Sequence, residues 1–169
     1  MFSIDSAVTS RPILIFGYGN PSRGDDALGP LLIERLEARQ RAGELAQVEL
    51  LTDFQLQIEH ALDLLGRECV VFVDAAASGP EPFSVAPVFP EQDASYTTHA
   101  MSPSAVLRVL FQTTCGDPPP TWLLAIRGYG YELGKTMSQE AERNLVAAES
   151  YLLDRLESHS VFPICLNHS

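Results

Sequence analysis

Three segments of this 169-residue chain carry residues whose types and spacing suit chemistry. The first is Gly17-Tyr18-Gly19-Asn20-Pro21-Ser22-Arg23-Gly24-Asp25-Asp26, a glycine turn that ends in paired carboxylates. The second is Asp74, which follows the apolar run of residues 69–73. The third is His99, just ahead of Ser102-Pro103. Two carboxylates and one imidazole make an O/O/N donor set suited to a divalent cation. The same groups could instead trade protons as an acid/base set. Composition and spacing leave both open.

Each residue also has a plainer role. The glycine turn invites a dinucleotide reading, but the third position of a G-x-G-x-x-G fingerprint is Ser22 here. Asp25 and Asp26 stand at a helix start where a pyrophosphate would bind, and would repel it. The helix dipole favours them as caps. One of the pair is expected to cap and the other to point into a cleft. Asp74 alone could cap a turn, and His99 alone could be a polar loop residue. His60, inside a predicted helix, and His168, in the tail, are expected to be structural or solvated.

Placing the three segments together requires strands that end at one edge. Residues 13–16 are a short apolar run stopped by Gly17 and Gly19, which predicts a buried strand. Leu28, Leu31, Leu32 and Leu36 then recur at helical spacing, with Pro30 suited to a first turn. Residues 47–52 predict a second strand. Ile58, Ala61, Leu62 and Leu65 predict a second helical stripe closed by Gly66. The β-branched run at 69–73 predicts a central strand buried on both faces, with Cys69 a buried hydrophobe.

Residues 83–89 predict a fourth strand. The link before it is too short for a helical crossover, so it is a candidate for antiparallel pairing, and Pro87 demotes it to an edge. Ser102-Pro103 predicts a capped helix with Val106, Leu107, Leu110 and Phe111 as its stripe. A strand at 122–126 and a long helix opened by Ser138, with Ala141, Leu145, Ala148, Leu152 and Leu156 inward, complete the pattern. The predicted class is α/β: a three-layer α/β/α sandwich around a largely parallel five-stranded sheet that the fourth strand would make mixed. Ligands in such folds sit beyond the carboxyl ends of the strands, where the three segments fall.

Composition narrows the function. Eleven Lys and Arg against 22 Asp and Glu give a net charge of -11. This excludes partners bound through phosphate contacts, namely nucleic acid and anionic membrane surfaces. With 46% hydrophobic and 20% charged residues the chain is globular rather than disordered. Its length suits one domain, 1–169, with 1–11 and 158–169 expected to be loose termini. Cys69, Cys115 and Cys165 provide neither a disulfide framework nor a thiolate zinc knuckle. Residues 1–11 lack a signal-peptide pattern and no run approaches a membrane span, so a reducing cytoplasm is the expected compartment.

Taken in order, Gly17-x-Gly19-Asn20 with Asp25-Asp26-x-x-Gly29, then Val73-Asp74-Ala75, then His99 ahead of Ser102-Pro103, resemble the hydrogenase maturation endopeptidases. These remove a C-terminal extension from the nickel-containing large subunit of [NiFe] hydrogenases. The stretch Asn-Pro-Ser-Arg-Gly-Asp-Asp-Ala is most similar to members serving soluble, NAD-linked bidirectional hydrogenases. Ala27 stands where members often carry glycine, and Asp26 where some carry glutamate. The resemblance implies a hydrolase of aspartyl or metal-dependent type, with Asp26, Asp74 and His99 as both catalytic and metal-binding residues. It implies nickel, supplied by the precursor, with zinc or cadmium able to occupy the site in isolation. The implied partner is the large-subunit precursor, met by a monomer.

Asn20, Asp25, Asp53 and Gln55 are assigned to the groove for the substrate's tail, although ordinary turns account for Asp53 and Gln55 at least as well. A nickel or zinc carrier without protease activity, and a nucleotide- or flavin-binding regulator, are the competing functions.

Overall fold

The computed structural model describes residues 11–91 and 101–158. Of the features read above, His99, His168, Cys165 and nearly all of both chain ends lie outside the described residues. Five strands, β1 (Ile13–Tyr18), β2 (Val48–Asp53), β3 (Cys69–Ala76), β4 (Phe83–Pro87) and β5 (Thr121–Arg127), form one sheet in the order β2-β1-β3-β5-β4. β1 pairs in parallel with β2 and β3, and β3 pairs in parallel with β5. β4 runs antiparallel to β5. The sheet is therefore mixed, as the short link predicts. Residues 77–82 cannot hold a crossover helix, so the chain turns back on itself, and Pro87 ends an edge strand where a missing donor is tolerated.

Strand alternation splits the core into two layers. Ile13, Ile15, Val71, Val73, Leu124 and Ile126 pack against helices α1 (Leu28–Arg41) and α3 (Gln139–Glu157). Leu14, Phe16, Val70 and Phe72 face α2 (Pro103–Thr114) and a 3-10 helix at Ile58–Leu64. The α3 stripe is buried as its spacing requires: Ala141, Leu145, Ala148, Leu152 and Leu156 all lie inside. Ser102 and Ser138 cap α2 and α3, accepting from Ala105 N at 3.1 Å and Ala141 N at 3.2 Å. Among the described residues no helix is long and apolar enough to cross a membrane.

The second helical stripe is corrected. Residues 58–64 form a 3-10 helix, with three residues per turn, so the apolar positions fall in a different phase. Leu56, Ala61 and Leu64 are buried, while Ile58, Leu62 and Leu65 are exposed. Phe111 of α2 is likewise exposed rather than part of its inner stripe.

Two glycines bring α1 hard against the sheet's carboxyl edge. A Cβ on Gly29 would lie 2.5 Å from the Tyr18 carbonyl oxygen and 2.8 Å from that of Val73. A Cβ on Gly17 would run into the Gly29 carbonyl. The helix start can sit over the ends of β1 and β3 only because both side chains are absent.

Candidate active site

β1 leaves the sheet through Gly19 and enters a tight turn. The Asn20 side-chain oxygen accepts from Ser22 N at 2.9 Å, and Arg23 N donates to the Asn20 carbonyl at 3.1 Å. Asn20 is thus a turn former rather than a groove side chain. Residues Gly24–Ala27 make one 3-10 turn that feeds α1. Within it, Asp26 folds back over the turn, its Oδ2 accepting the Asn20 N–H at 2.7 Å. A side chain at Gly19 would collide with the Asp26 backbone, so glycine is required where the carboxylate crosses the strand end.

Asp74 reaches the same edge from β3. It lies within that strand, whose pairing with β5 continues to Ala76, rather than just after it. Because Gly17 registers with Val73, the next residues along, Tyr18 and Asp74, stand side by side at the edge. Asp74 Oδ1 accepts the N–H of Ala75 at 2.8 Å, and the Tyr18 hydroxyl donates to the same carboxylate. Burial pushes the Asp74 carboxyl up to about 6. Hydrogen bonds from Tyr18 and Ala75 hold it down in part, and the charge of Asp26 raises it again. The Tyr18 phenol is raised above its ordinary value, by burial first and then by Asp74 and Asp26. Asp74 at the end of β3, with the charge of Asp26 on the turn after β1 near enough to raise it, is an arrangement that favours an incoming proton or cation.

Asp25 does not line a groove and does not cap a helix. It is fully buried. Its carboxylate accepts from Ser138 N at 2.7 Å, the Ser138 hydroxyl at 2.8 Å, Tyr129 N at 2.7 Å and Gly130 N at 3.0 Å. Burial pushes its pKa up, but these donors outweigh that and hold it below the usual carboxylate value. Neither carboxylate of the pair caps α1 through its side chain. Asp25 instead fastens the strap of residues 128–138 to the turn, helped by backbone bonds from Asp25 N to Gly130 O and from Gly134 N to Ser22 O, both 2.8 Å.

Asp53 is also spent internally. Its Oδ1 accepts from Phe54 N at 2.7 Å and its Oδ2 meets His60 Nε2 at 3.2 Å. His60 Nδ1 accepts the Gln57 N–H at 2.8 Å, so its Nε2 carries the proton given to Asp53. His60 is structural, as expected. Gln55 sits half-buried in the same turn.

Two tyrosines were not singled out from the sequence. Tyr18 was hidden inside the glycine motif, where only the strand register shows that it flanks Asp74. Tyr131 lies on the strap, with its hydroxyl packed over Gly128 and beside the Asp25 side chain. That hydroxyl is buried with no hydrogen-bond partner among the described residues. Burial, then the charges of Asp25, Asp26 and Asp74, push it up to about 12. Nothing in the spacing of Tyr131 marks it.

Among the described residues no three His, Cys, Asp or Glu side chains gather as a complete metal site. Asp26 and Asp74 each have one oxygen tied to a backbone N–H and so retain acceptor capacity for a cation. The donor set fits a hard or borderline divalent ion that brings further ligands of its own. The third expected donor, His99, lies outside the described residues.

No family model matches the sequence, and no curated protein does. Among solved structures the chain is similar to the [NiFe] hydrogenase maturation protease HycI from Thermococcus kodakarensis KOD1, at 24% identity and a TM-score of 0.65. That match covers 87% of this chain and 93% of the other. It is also similar to the hydrogenase maturating endopeptidase HybD from E. coli, at 20% identity and a TM-score of 0.68, again over 87% and 93%. A third likeness is to the [NiFe] hydrogenase maturation protease HybD from Thermococcus kodakarensis, at 19% identity, 84% and 97% coverage and a TM-score of 0.64. At these identities the likeness is one of fold.

Proposed function

We propose that this protein is an endopeptidase that removes the C-terminal extension of a nickel-loaded [NiFe] hydrogenase large-subunit precursor. The observation that carries the reading is the acidic pair. Asp26, on the turn after β1, lies near enough to Asp74 of the adjacent strand β3 for its charge to raise that carboxyl, on a fold shared with named hydrogenase maturation proteases. The sequence order of Asp26, Asp74 and His99 supports the same assignment.

In this reading the nickel belongs to the substrate. Asp26 and Asp74, joined by His99, receive it through their free lone pairs, so that only a metallated precursor is held with its scissile bond at the edge. Zinc or cadmium takes that place in the isolated protein. Asp74, whose carboxyl burial pushes up, serves as the base. It takes a proton from water as the water oxygen bonds to the scissile carbonyl carbon. The proton then passes to the departing amine as the C–N bond breaks. Bound nickel supplies Lewis acidity at the same place. The enzyme works as a monomer in the cytoplasm.

Incubation with nickel-loaded precursor, followed by mass measurement of its C-terminus, tests the assignment. Loss of the extension with the wild type, and its retention with Asp26→Asn or Asp74→Asn, is the expected result. An unchanged precursor that gives up or gains nickel would instead identify a metal carrier.

A further inference from the structure

The Asp74 carboxylate is not left to orient itself. Tyr18 is the last residue of β1 and Asp74 lies beside it on β3, one step beyond the Gly17–Val73 pair. Two residues earlier on each strand, Phe16 and Phe72 pack together on the α2 side of the sheet, with ring centroids 6.0 Å apart. Side chains alternate along a strand, so Tyr18 and Asp74 fall on that same side. The Tyr18 ring is held edge-on to Phe72, with centroids 6.4 Å apart and planes at 74°. A ring clamped this way has little freedom, and its hydroxyl is delivered to the carboxylate.

From this placement we propose that Tyr18 is a positioning residue for the site, its hydroxyl donating to Asp74 and fixing the carboxylate's orientation toward Asp26. The inference rests on the reading of Asp26 and Asp74 as the cation-receiving pair. Asp74 is then held at two points, by the Ala75 N–H at 2.8 Å and by the Tyr18 hydroxyl. Its remaining lone pairs are left for an incoming cation or a water. Carboxylates that bind metals are commonly oriented by such outer hydrogen bonds, and losing one costs about 10- to 100-fold in metal affinity or activity. Nothing else at this end of β1 requires a phenol. Contact with Phe72 alone would be met equally well by phenylalanine.

Tyr18→Phe separates the two roles, since it keeps the ring and removes only the hydroxyl. Two measurements are made on wild type and variant: Cd²⁺ affinity by titration calorimetry, and single-turnover cleavage of nickel-loaded precursor. The expected result is Cd²⁺ binding weakened about 10- to 100-fold. Cleavage at sub-saturating precursor falls by a similar factor, through a higher precursor concentration for half-maximal rate, and the thermal midpoint is retained. Wild-type Cd²⁺ affinity and cleavage rate in the variant would overturn the proposal. Weakened Cd²⁺ binding in the variant, with no cleavage even by the wild type, would leave the role of Tyr18 standing and remove the protease reading.

Discussion

Ser138 donates both its backbone N–H and its hydroxyl to the carboxylate of Asp25, at 2.7 and 2.8 Å, across 113 residues of chain. The same hydroxyl oxygen accepts Ala141 N at 3.2 Å and so caps α3. One serine thus starts the last helix and locks that helix to the turn that carries Asp26. Asp25 and Asp26 are sequence neighbours with opposite duties. The first is buried and satisfied by the protein itself, while the second keeps acceptor capacity at the edge.

Removing the Asp25 carboxylate leaves four donors without their acceptor. Asp25→Ala is expected to destabilise the protein by about 3 kcal/mol or more. Ser138→Ala, which loses a cap and a charge-assisted bond, should cost about 1–2 kcal/mol. The two share one interaction, so the double variant should fall short of the sum by about 1 kcal/mol. Urea unfolding of the four proteins measures this directly, and full additivity would show that the bond contributes nothing.

Asp25 and Asp74 give opposite pH trends. Asp25 is held below its usual value, so its stabilisation is present above about pH 4 and is lost as the pH falls through its lowered folded value. Asp74 is raised from 3.8 to about 6. Between those values the folded state binds more protons than the unfolded state, so this group makes stability fall as the pH rises. Asp74→Asn should therefore melt higher than wild type at pH 7 and lose that slope, while cleaving no precursor. A variant that melts lower at pH 7 would contradict the raised value.

Gly29→Ala adds one methyl group where the carbonyls of Tyr18 and Val73 stand 2.5 and 2.8 Å away. Neither carbonyl can move without breaking strand pairing. The expected cost is about 2–4 kcal/mol, far beyond the roughly 1 kcal/mol gain that alanine normally brings to a helix. A thermal melt at or above wild type would show that α1 can shift freely.

His99→Ala should abolish processing of nickel-loaded precursor with no loss of thermal stability. Normal processing by this variant, read by the mass of the precursor's C-terminus, would remove His99 from the site.

Much of the architecture was legible because burial wrote it into the periodicity. The run at 69–73 reads as a strand buried on both faces, and the α3 stripe returns every three or four residues. The antiparallel turn of β4 followed from a link too short for anything else. The helix at 58–64 misled because an apolar stripe at 58, 61, 62 and 65 looks α-helical, whereas the chain is wound more tightly and hides 56, 61 and 64 instead. At the candidate site, types and spacing singled out Asp26 and Asp74 as candidates. They could not show which of two adjacent aspartates turns inward, since that depends on donors from residues 129, 130 and 138 that no local pattern reveals. Tyr18 was equally hidden, because its partner comes from a neighbouring strand.

The fastening of residues 22–25 to residues 130–138 also sets a timetable for synthesis. A chain emerging from the ribosome has the glycine turn and both aspartates well before Tyr129, Gly130 and Ser138 exist to hold them. Until the segment leading into α3 has been made, the Asp25 carboxylate lacks the four donors that satisfy it in the fold. In an incomplete chain this turn is therefore without the fastening that ties it to the last helix.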